Sequence, residues 1–290
     1  MPTTRVAAVA ASFGRDLEQA YATIGRLLDE ARATGVQLLV LPEACLGGYL
    51  SSLGQHGDVA STVAARPDAL PPAIELDGPE LRRVIDMAGD VVLCLGICEA
   101  AGSERYNTAV ALTGSGILAV HRKVHQPLGE HLSYSAGEVF EAFDSPVGRM
   151  GMLICYDKAF PEAARSLALD GAEIIACMSA WPAGRTNTTP ELADDRWTHR
   201  FDLFDRARAL ENQVVWVSAN QAGTFGALRF VASAKVCGPG GEVLAETGTT
   251  AGVAVADVDV ADALGSARRS MFHLRDRRTE TYTTEAKISA

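Results

Sequence analysis

The stretch Val36-Gln-Leu-Leu-Val-Leu-Pro-Glu43 predicts a short apolar strand that ends at a proline and a carboxylate. Before it, Asp16–Thr34 carries apolar side chains three or four residues apart, which predicts an amphipathic helix, and Gly35 is a typical helix stop. The weakly alternating Arg5–Ala11 predicts a strand ahead of that helix. A strand, a helix and a second, apolar strand in succession indicate a layered α/β fold, because strands covered on both faces lose polar alternation.

The same pattern of strands and helices continues along the chain. Further helices are predicted at 79–88, 161–169 and 192–212, and further strands at 91–99, 108–113, 117–121, 147–155, 173–178, 214–219, 231–236, 243–247 and 253–258. Residues 51–78 lack periodicity and predict a long loop, of a kind that is often functional. No linker or repeat divides the sequence, so we expect one domain over 1–290 in which 268–290 form a C-terminal arm.

Composition limits the classes of partner. The formal net charge of −10 argues against nucleic acid and anionic membranes, since both would repel the protein at long range. No run reaches the roughly 20 apolar residues of a membrane span, and the first residues do not resemble a signal peptide. The six cysteines are scattered without CxxC or Cys/His clusters. We therefore expect a reduced, cytoplasmic protein without a metal or cofactor.

Three residues with complementary chemistry each follow a short apolar run. Glu43 ends Leu41-Pro-Glu43, Lys123 lies in His121-Arg-Lys-Val-His125, and Cys155 follows Gly151-Met-Leu-Ile154. If each run is a strand, all three side chains could project from sheet ends toward one pocket. A thiol, a carboxylate and an ammonium together can carry out covalent attack on an electrophilic carbon next to nitrogen.

Each of these groups has a natural role in such a reaction. Cys155 would attack as a thiolate, and we expect it to have a low pKa and to react with iodoacetamide far faster than the other five cysteines. Glu43 would take the thiol proton and later protonate the leaving nitrogen. Lys123 would stabilise the oxyanion together with the backbone N–H of Tyr156, and Glu130 would orient Lys123 or the substrate.

Several other residues are candidates for different roles. Trp181 follows a predicted strand that should end near Cys155, which makes it a candidate wall of the substrate pocket. The histidines His121, His125 and His131 lack the spacing of metal ligands. Cys45 has no base or turn beside it, so we do not expect it to be a nucleophile. Near the end of the long predicted helix, we expect an Arg/Glu pair to tie that helix to the sheet, with the candidates Arg208, Glu211 and Asn212.

The ordered set of motifs resembles the nitrilase superfamily of carbon–nitrogen hydrolases. The matching segments, from Val6 to about Tyr282, are Leu-Pro-Glu43, Tyr106-Asn107, Arg122-Lys123 with Glu130, Cys155-Tyr-Asp with Phe160-Pro-Glu162, Arg208-Ala-Leu-Glu-Asn212 and Ser233 with Pro239-Gly-Gly. Single tripeptides would be weak signals, but independent matches in the same order are specific. The resemblance implies catalytic roles for Glu43, Lys123 and Cys155, with Glu130 as a frequent fourth member.

The resemblance also implies a fold and an activity. It predicts a four-layer α-β-β-α sandwich of two mixed sheets, assembled into a homodimer or larger homo-oligomer. Nitrilases of the superfamily usually carry Trp-Glu after the cysteine, whereas this chain has Tyr156-Asp157. We therefore expect hydrolysis of a small amide or N-carbamoyl (ureido) compound. The alternatives are nitrile hydrolysis and a catalytically silent binding or scaffold protein, although no triad member is lost here.

Overall fold

The computed structural model describes residues 3–51, 53 and 70–283. The helices in this part of the chain are α1 (Leu17–Thr34), α2 (Pro79–Ala88), α3 (Pro161–Leu169), α4 (Arg196–Asn212) and α5 (Val260–Ser270). The first seven strands are β1 (Thr4–Ala11), β2 (Leu38–Val40), β3 (Val92–Ala101), β4 (Glu104–Thr113), β5 (Gly116–Arg122), β6 (Phe143–Ser145) and β7 (Gly148–Ile154). The others are β8 (Ile174–Ser179), β9 (Val215–Gln221), β10 (Thr224–Phe225), β11 (Leu228–Arg229), β12 (Lys235–Cys237), β13 (Val243–Glu246) and β14 (Gly252–Val258).

Apart from β10 and β11, which pair only with each other, the described strands form two halves that are joined where β1 meets β9. The first half has the order β5-β4-β3-β2-β1, with β14 antiparallel to β1. The second has the order β6-β7-β8-β9, followed by β12 and β13. The halves meet where Ala10 and Ala11 of β1 pair in parallel with Asn220 and Gln221 of β9.

Alternation of side chains along the strands creates the layers. Val6 and Ala8 point into a core shared with the second half, whereas Ala7 and Val9 pack against α1 and α2. In the second half, Met152 and Ala176 join the shared core, while neighbours such as Leu153 and Ile175 pack against α3 and α4. The predicted four-layer α-β-β-α arrangement is therefore confirmed.

The ends of several helices follow from the sequence. The Asp16 side chain accepts hydrogen bonds from Glu18 N and Gln19 N at the start of α1, and Gly35 ends the helix with φ +73°. A proline occupies the first helical position of both α2 and α3. The predicted bounds of 79–88 and 161–169 agree with the observed ones.

Several predicted elements differ from the observed ones in extent, such as β4, which begins at Glu104 rather than at 108, and two of the differences have a clear physical reason. The strand predicted over 231–236 begins only at Lys235, because Ala232 and Ser233 have φ of +58° and +57°, outside the range of a strand. The helix predicted over 192–212 is divided at Asp195, whose carboxylate accepts from Trp197 N. A short 3₁₀ turn, Leu192–Asp194, precedes the true helix.

Most of the predicted loop at 51–78 lies outside the described residues, which exclude 52 and 54–69. The first residues of the predicted arm, 268–270, belong to α5. The next residues are held by Gln213, which donates to Met271 O and accepts from His273 N. The assignment of one domain with this arm stays a prediction.

No helix within the described ranges is long and apolar enough to cross a membrane.

Candidate active site

The three predicted chemical groups lie at the ends of strands from both halves of the sandwich. Glu43 follows β2 and Lys123 follows β5 in the first half, and Cys155 follows β7 in the second. The Glu43 N–H donates to Ser179 O of β8 at 3.3 Å, and Gln221 of β9 donates to Glu43 O at 3.0 Å. Two strands of the second half, β8 and β9, therefore hold Glu43 in place, although Glu43 belongs to the first half.

Lys123 lies between two buried carboxylates. Its Nζ is 2.8 Å from Glu43 Oε1 and 2.7 Å from Glu130 Oε2, and all three side chains have no solvent exposure. Asn107 Nδ2 donates to Glu43 Oε1 at 2.6 Å and to Glu130 Oε1 at 2.8 Å. These four side chains form one cluster in which both carboxylates share the same two donors.

Two further donors orient the carboxylates. The backbone N–H of Ala180 donates to Glu43 Oε2 at 2.6 Å, and the hydroxyl of Tyr49 donates to Glu130 Oε1 at 3.1 Å. Glu43 thus holds Lys123 through one oxygen and is anchored to the end of β8 through the other. Such fixed orientation is what a group that transfers protons requires.

The two carboxylates stabilise the charge of Lys123. Burial alone would lower the pKa of Lys123, but the charges of Glu130 and Glu43 outweigh it and raise that pKa well above its usual value. Burial raises the pKa of Glu130, and Lys123 opposes this rise. Lys123 therefore stays protonated at neutral pH.

Cys155 occupies the junction between β7 and a 3₁₀ turn, Cys155–Ala159. Its φ of +50° is uncommon for a residue with a side chain, and such conformations occur often at functional sites. The expectation of a low pKa is wrong. Burial and the charge of Glu43 raise the pKa of the Cys155 thiol well above its usual value, although Lys123 opposes them.

The carboxylate of Asp157 connects the Cys155 turn with the Lys123 segment. Oδ2 accepts from Ile154 N at 3.1 Å and lies 3.3 Å from His121 Nε2. Oδ1 accepts from His125 N at 2.9 Å and lies 2.9 Å from His125 Nδ1. Two of the three histidines near Lys123 thus contact a carboxylate, and no group of potential metal ligands occurs among the described residues.

A second buried charge network lies next to the Cys155 turn. Lys158 Nζ is 2.7 Å from Asp205 Oδ1, and Lys235 Nζ is 3.4 Å from Asp205 Oδ2. Arg208 donates to Lys158 O at 2.8 Å and pairs with Glu211. The expectation that Arg208 ties its helix to the sheet is therefore wrong in one respect, because its partner is the turn that follows the candidate nucleophile.

A cavity of about 250 Å³ opens above this arrangement. Cys155 and Tyr156 lie in its wall, as do Trp181 and Trp197. Trp181 Nε1 donates to Trp197 O at 3.1 Å. The structure thus brings Tyr156 and Trp181 to the same cavity as Cys155, while Cys45 is buried elsewhere and burial raises its pKa to about 12.

The sequence did not reveal the roles of Tyr49 and Asp157. Tyr49 follows Gly47-Gly48 in a segment without periodicity, and its contact with Glu130 spans 81 residues of chain. In the sequence, Asn107 occurs only within the Tyr106-Asn107 motif, which does not indicate a role. Its position on β4, which pairs with β5, is the signal that places it near Lys123. In the sequence, Asp157 is part of the Cys155-Tyr-Asp motif and of the departure from Trp-Glu, and neither pattern indicates its contacts.

Comparison with known proteins identifies the family. The family model for carbon-nitrogen hydrolase matches residues 5–268, so the chain belongs to the carbon–nitrogen hydrolase family and is an enzyme of that class. Within it, the chain lies in the amidase branch of the nitrilase superfamily.

Two relatives of similar identity are named for different activities. The (R)-stereoselective amidase of a Pseudomonas species is 32% identical over 269 residues, covering 91% of this chain and 88% of the relative. The nitrilase of Pyrococcus abyssi is 31% identical over 244 residues, covering 83% of each.

Solved structures agree with the fold. A carbon-nitrogen hydrolase from Helicobacter pylori superposes with a TM-score of 0.80 at 24% identity, covering 97% of each chain. A mutant amidase from Nesterenkonia sp. AN1 superposes with a TM-score of 0.74 at 25% identity, covering 96% of this chain and 95% of the other. That structure shows the acetamide moiety of fluoroacetamide added covalently at the active-site cysteine.

Proposed function

We propose that the protein hydrolyses the C–N bond of a small amide or N-carbamoyl compound through a thioester on Cys155. The observation that carries this proposal is the buried Glu43–Lys123–Glu130 cluster behind a cavity that Cys155 lines. Such an arrangement supplies a nucleophile, a proton acceptor and a fixed positive charge. No cofactor is needed for this chemistry.

In the acylation step, the Cys155 sulfur attacks the carbonyl carbon while Glu43 takes the thiol proton. The raised pKa of the thiol suits this order, because the resting group is a thiol rather than a thiolate. The carbonyl π electrons move to oxygen, where Lys123 and the Tyr156 N–H stabilise the oxyanion. When the oxyanion collapses, the C–N bond breaks, and Glu43 gives its proton to the leaving nitrogen.

In the second step, water replaces the amine. Glu43 takes a proton from water, whose oxygen attacks the thioester carbon, and the C–S bond then breaks with the proton returned to sulfur. The products are a carboxylic acid, or a carbamic acid from an N-carbamoyl substrate, together with ammonia or an amine. Glu130 holds Lys123 in place throughout and does not need to exchange a proton.

Replacing Cys155 by serine tests the proposal. We expect the Cys155→Ser chain to lose ammonia release by several orders of magnitude with an unchanged thermal midpoint, since a hydroxyl is much less nucleophilic than a thiolate. Cys237→Ser is the matched control, because Cys237 lies on β12 and does not line the cavity. Near-wild-type ammonia release by Cys155→Ser would refute the mechanism.

Nitrile hydrolysis is the second candidate function. The similarity to the Pyrococcus abyssi protein that is named a nitrilase favours it. Tyr156-Asp157 in place of Trp-Glu favours the amide. The two are separated by assaying acid formation from an aliphatic amide and from the nitrile with the same carbon chain. We expect faster acid formation from the amide, and the reverse order would make the protein a nitrilase.

A further inference from the structure

The charged side chains around the cavity are of one sign. Among the described residues that line it, Arg185 and Arg196 are charged and no carboxylate is present. The chain as a whole carries a net charge of −10, so this local excess of positive charge runs against the average of the molecule. Such a local field favours an anion in the cavity.

Hydrogen bonds hold both arginines in place. Arg185 Nη1 donates to Leu53 O at 2.6 Å, and Arg196 Nη2 donates to Thr186 Oγ1 at 2.7 Å. Neither guanidinium pairs with a carboxylate of the described residues. Because a guanidinium has five N–H donors, each arginine keeps donors for a ligand, and its fixed position lowers the entropic cost of binding.

The cation at the reaction centre cannot serve this purpose. Lys123 contacts Glu43 and Glu130 at 2.8 and 2.7 Å, and the proposed mechanism uses its remaining N–H donor for the oxyanion. The Glu43 carboxylate would repel a negatively charged group of the substrate that pointed toward the reaction centre. The arginines are exposed, whereas Cys155 is buried, so they line the outer part of the cavity.

We infer that the substrate carries a carboxylate at the end opposite its amide or ureido group, and that Arg185 and Arg196 bind this carboxylate. The inference rests on the proposed function, because it places the scissile carbon at Cys155. The aromatic rings of Trp181 and Trp197 line the cavity and would contact the carbon chain between the two ends. Arg185 and Arg196 are specificity determinants here.

A binding measurement separates this inference from catalysis. The probes are glutaric acid monoamide and its neutral methyl ester, titrated calorimetrically into the Cys155→Ala chain, which cannot form a thioester. We expect the acid to bind about 10-fold more tightly than the ester at low ionic strength, and this ratio should fall as salt screens the charges. Arg185→Gln and Arg196→Gln should each reduce the ratio by about 3-fold, and the double variant should abolish it.

Arg26→Gln is the matched control. Arg26 lies on α1 with 65% of its side chain exposed, and it does not line the cavity. Its replacement by glutamine changes the net charge by the same amount as each of the other two substitutions. The ratio of acid affinity to ester affinity in Arg26→Gln should equal that of the parent chain. Equal affinity for acid and ester, failure to bind the acid, or a ratio that survives in the double arginine variant would overturn the inference. Ammonia release by the chain with Cys155 intact tests the proposed function separately.

Discussion

At Lys123, one ammonium holds two buried carboxylates, and this explains why the residue affects both stability and catalysis. Removing one partner of a buried ion pair leaves the other charge without compensation, at a cost of about 3–5 kcal/mol. Here the loss would leave Glu43 and Glu130 together in a site without solvent. A rate effect of Lys123 must therefore be separated from a stability effect.

Lys235 provides that separation, because it is also a buried lysine paired with carboxylates, Asp202 and Asp205. Both Lys123→Met and Lys235→Met should destabilise the protein in urea unfolding. Only Lys123→Met should also lower kcat by a factor on the order of 10²–10³, the usual cost of one lost oxyanion donor. Equal losses of kcat in the two variants would show that Lys123 acts through stability alone.

Glu43→Gln tests the proton-transfer role at nearly constant shape. The amide can still accept from Ala180 N, but it cannot take a proton from the thiol or from water. We expect both the first turnover and the steady-state rate to fall, as measured by rapid-quench kinetics. A normal first turnover followed by slow steady-state release would mean that another group accepts the thiol proton.

At the level of elements, Asp157 sets the relative position of two strand ends. It accepts hydrogen bonds from the backbone on both sides, from Ile154 N at the end of β7 and from His125 N after β5. The ring of His125 also stacks on Phe160, with 3.7 Å between ring centroids. Since Lys123 lies between the two histidines that contact Asp157, we propose that this carboxylate positions Lys123 relative to Cys155.

Asp157→Asn should therefore lower kcat by about 10-fold or more with a smaller change of KM, because small displacements of oriented groups reduce rates. Asp170→Asn is the matched control. Asp170 also accepts from a backbone N–H, that of Ala142, and contacts an arginine, but it does not contact either strand end of the site. His125→Asn, which keeps a donor near the Nδ1 position, should retain more activity than His125→Ala. Equal kinetics of these two His125 variants would contradict the positioning role.

The same carboxylate predicts a pH dependence of stability. Burial alone would raise the pKa of Asp157, but hydrogen bonds from His121 and His125 outweigh it and hold the pKa well below its usual range. A carboxyl whose pKa is lowered by folding stabilises the folded state above its unfolded pKa, about 3.9, and this stabilisation decreases as the pH falls below that value. The difference in unfolding free energy between wild type and Asp157→Asn should thus shrink as the pH falls below about pH 4. A difference that grows in acid would contradict this sign.

The sequence predicted the site best where a residue follows a regular strand. Glu43, Lys123 and Cys155 can be predicted because apolar runs end at them, and the packing of the two sheet halves brings the ends of those runs together. Tyr49 and Asp157 were not assigned roles, because their contacts depend on long-range packing that no local pattern records. The strand predicted at 231–236 failed for a related reason, since Ala232 and Ser233 have positive φ where Ser233 Oγ donates to Asp202, a contact between residues 31 apart in sequence that no local pattern records.

For the whole molecule, the site depends on the joining of the two sheet halves. Glu43 and Lys123 come from one half, Cys155 and Ala180 from the other, and the shared core between them contains residues of both. The pairing of β1 with β9 lies beside Gln221, which donates to Glu43 O. Loss of packing between the halves should therefore abolish activity before either half unfolds.

The outer helices leave apolar side chains exposed, which bears on assembly. Leu203 and Leu210 of α4 are 66% and 46% exposed, and Leu169 of α3 is 51% exposed. We propose that these helices form the contact of a homodimer or larger homo-oligomer, since apolar patches on outer surfaces often mark interfaces. Sedimentation should show an oligomer that Leu203→Glu dissociates, whereas Ile117→Glu on β5 should not. A monomer at micromolar concentration in the wild type would contradict this.

The most direct test of the mechanism is to trap the thioester. Wild-type protein is mixed with excess amide, quenched in acid during steady-state turnover, digested and weighed by mass spectrometry. The account predicts that the peptide containing Cys155 gains the mass of the acyl group and loses this gain after treatment with hydroxylamine. Ammonia release at the normal rate with no acyl group on Cys155, or with the acyl group on another residue, would contradict it.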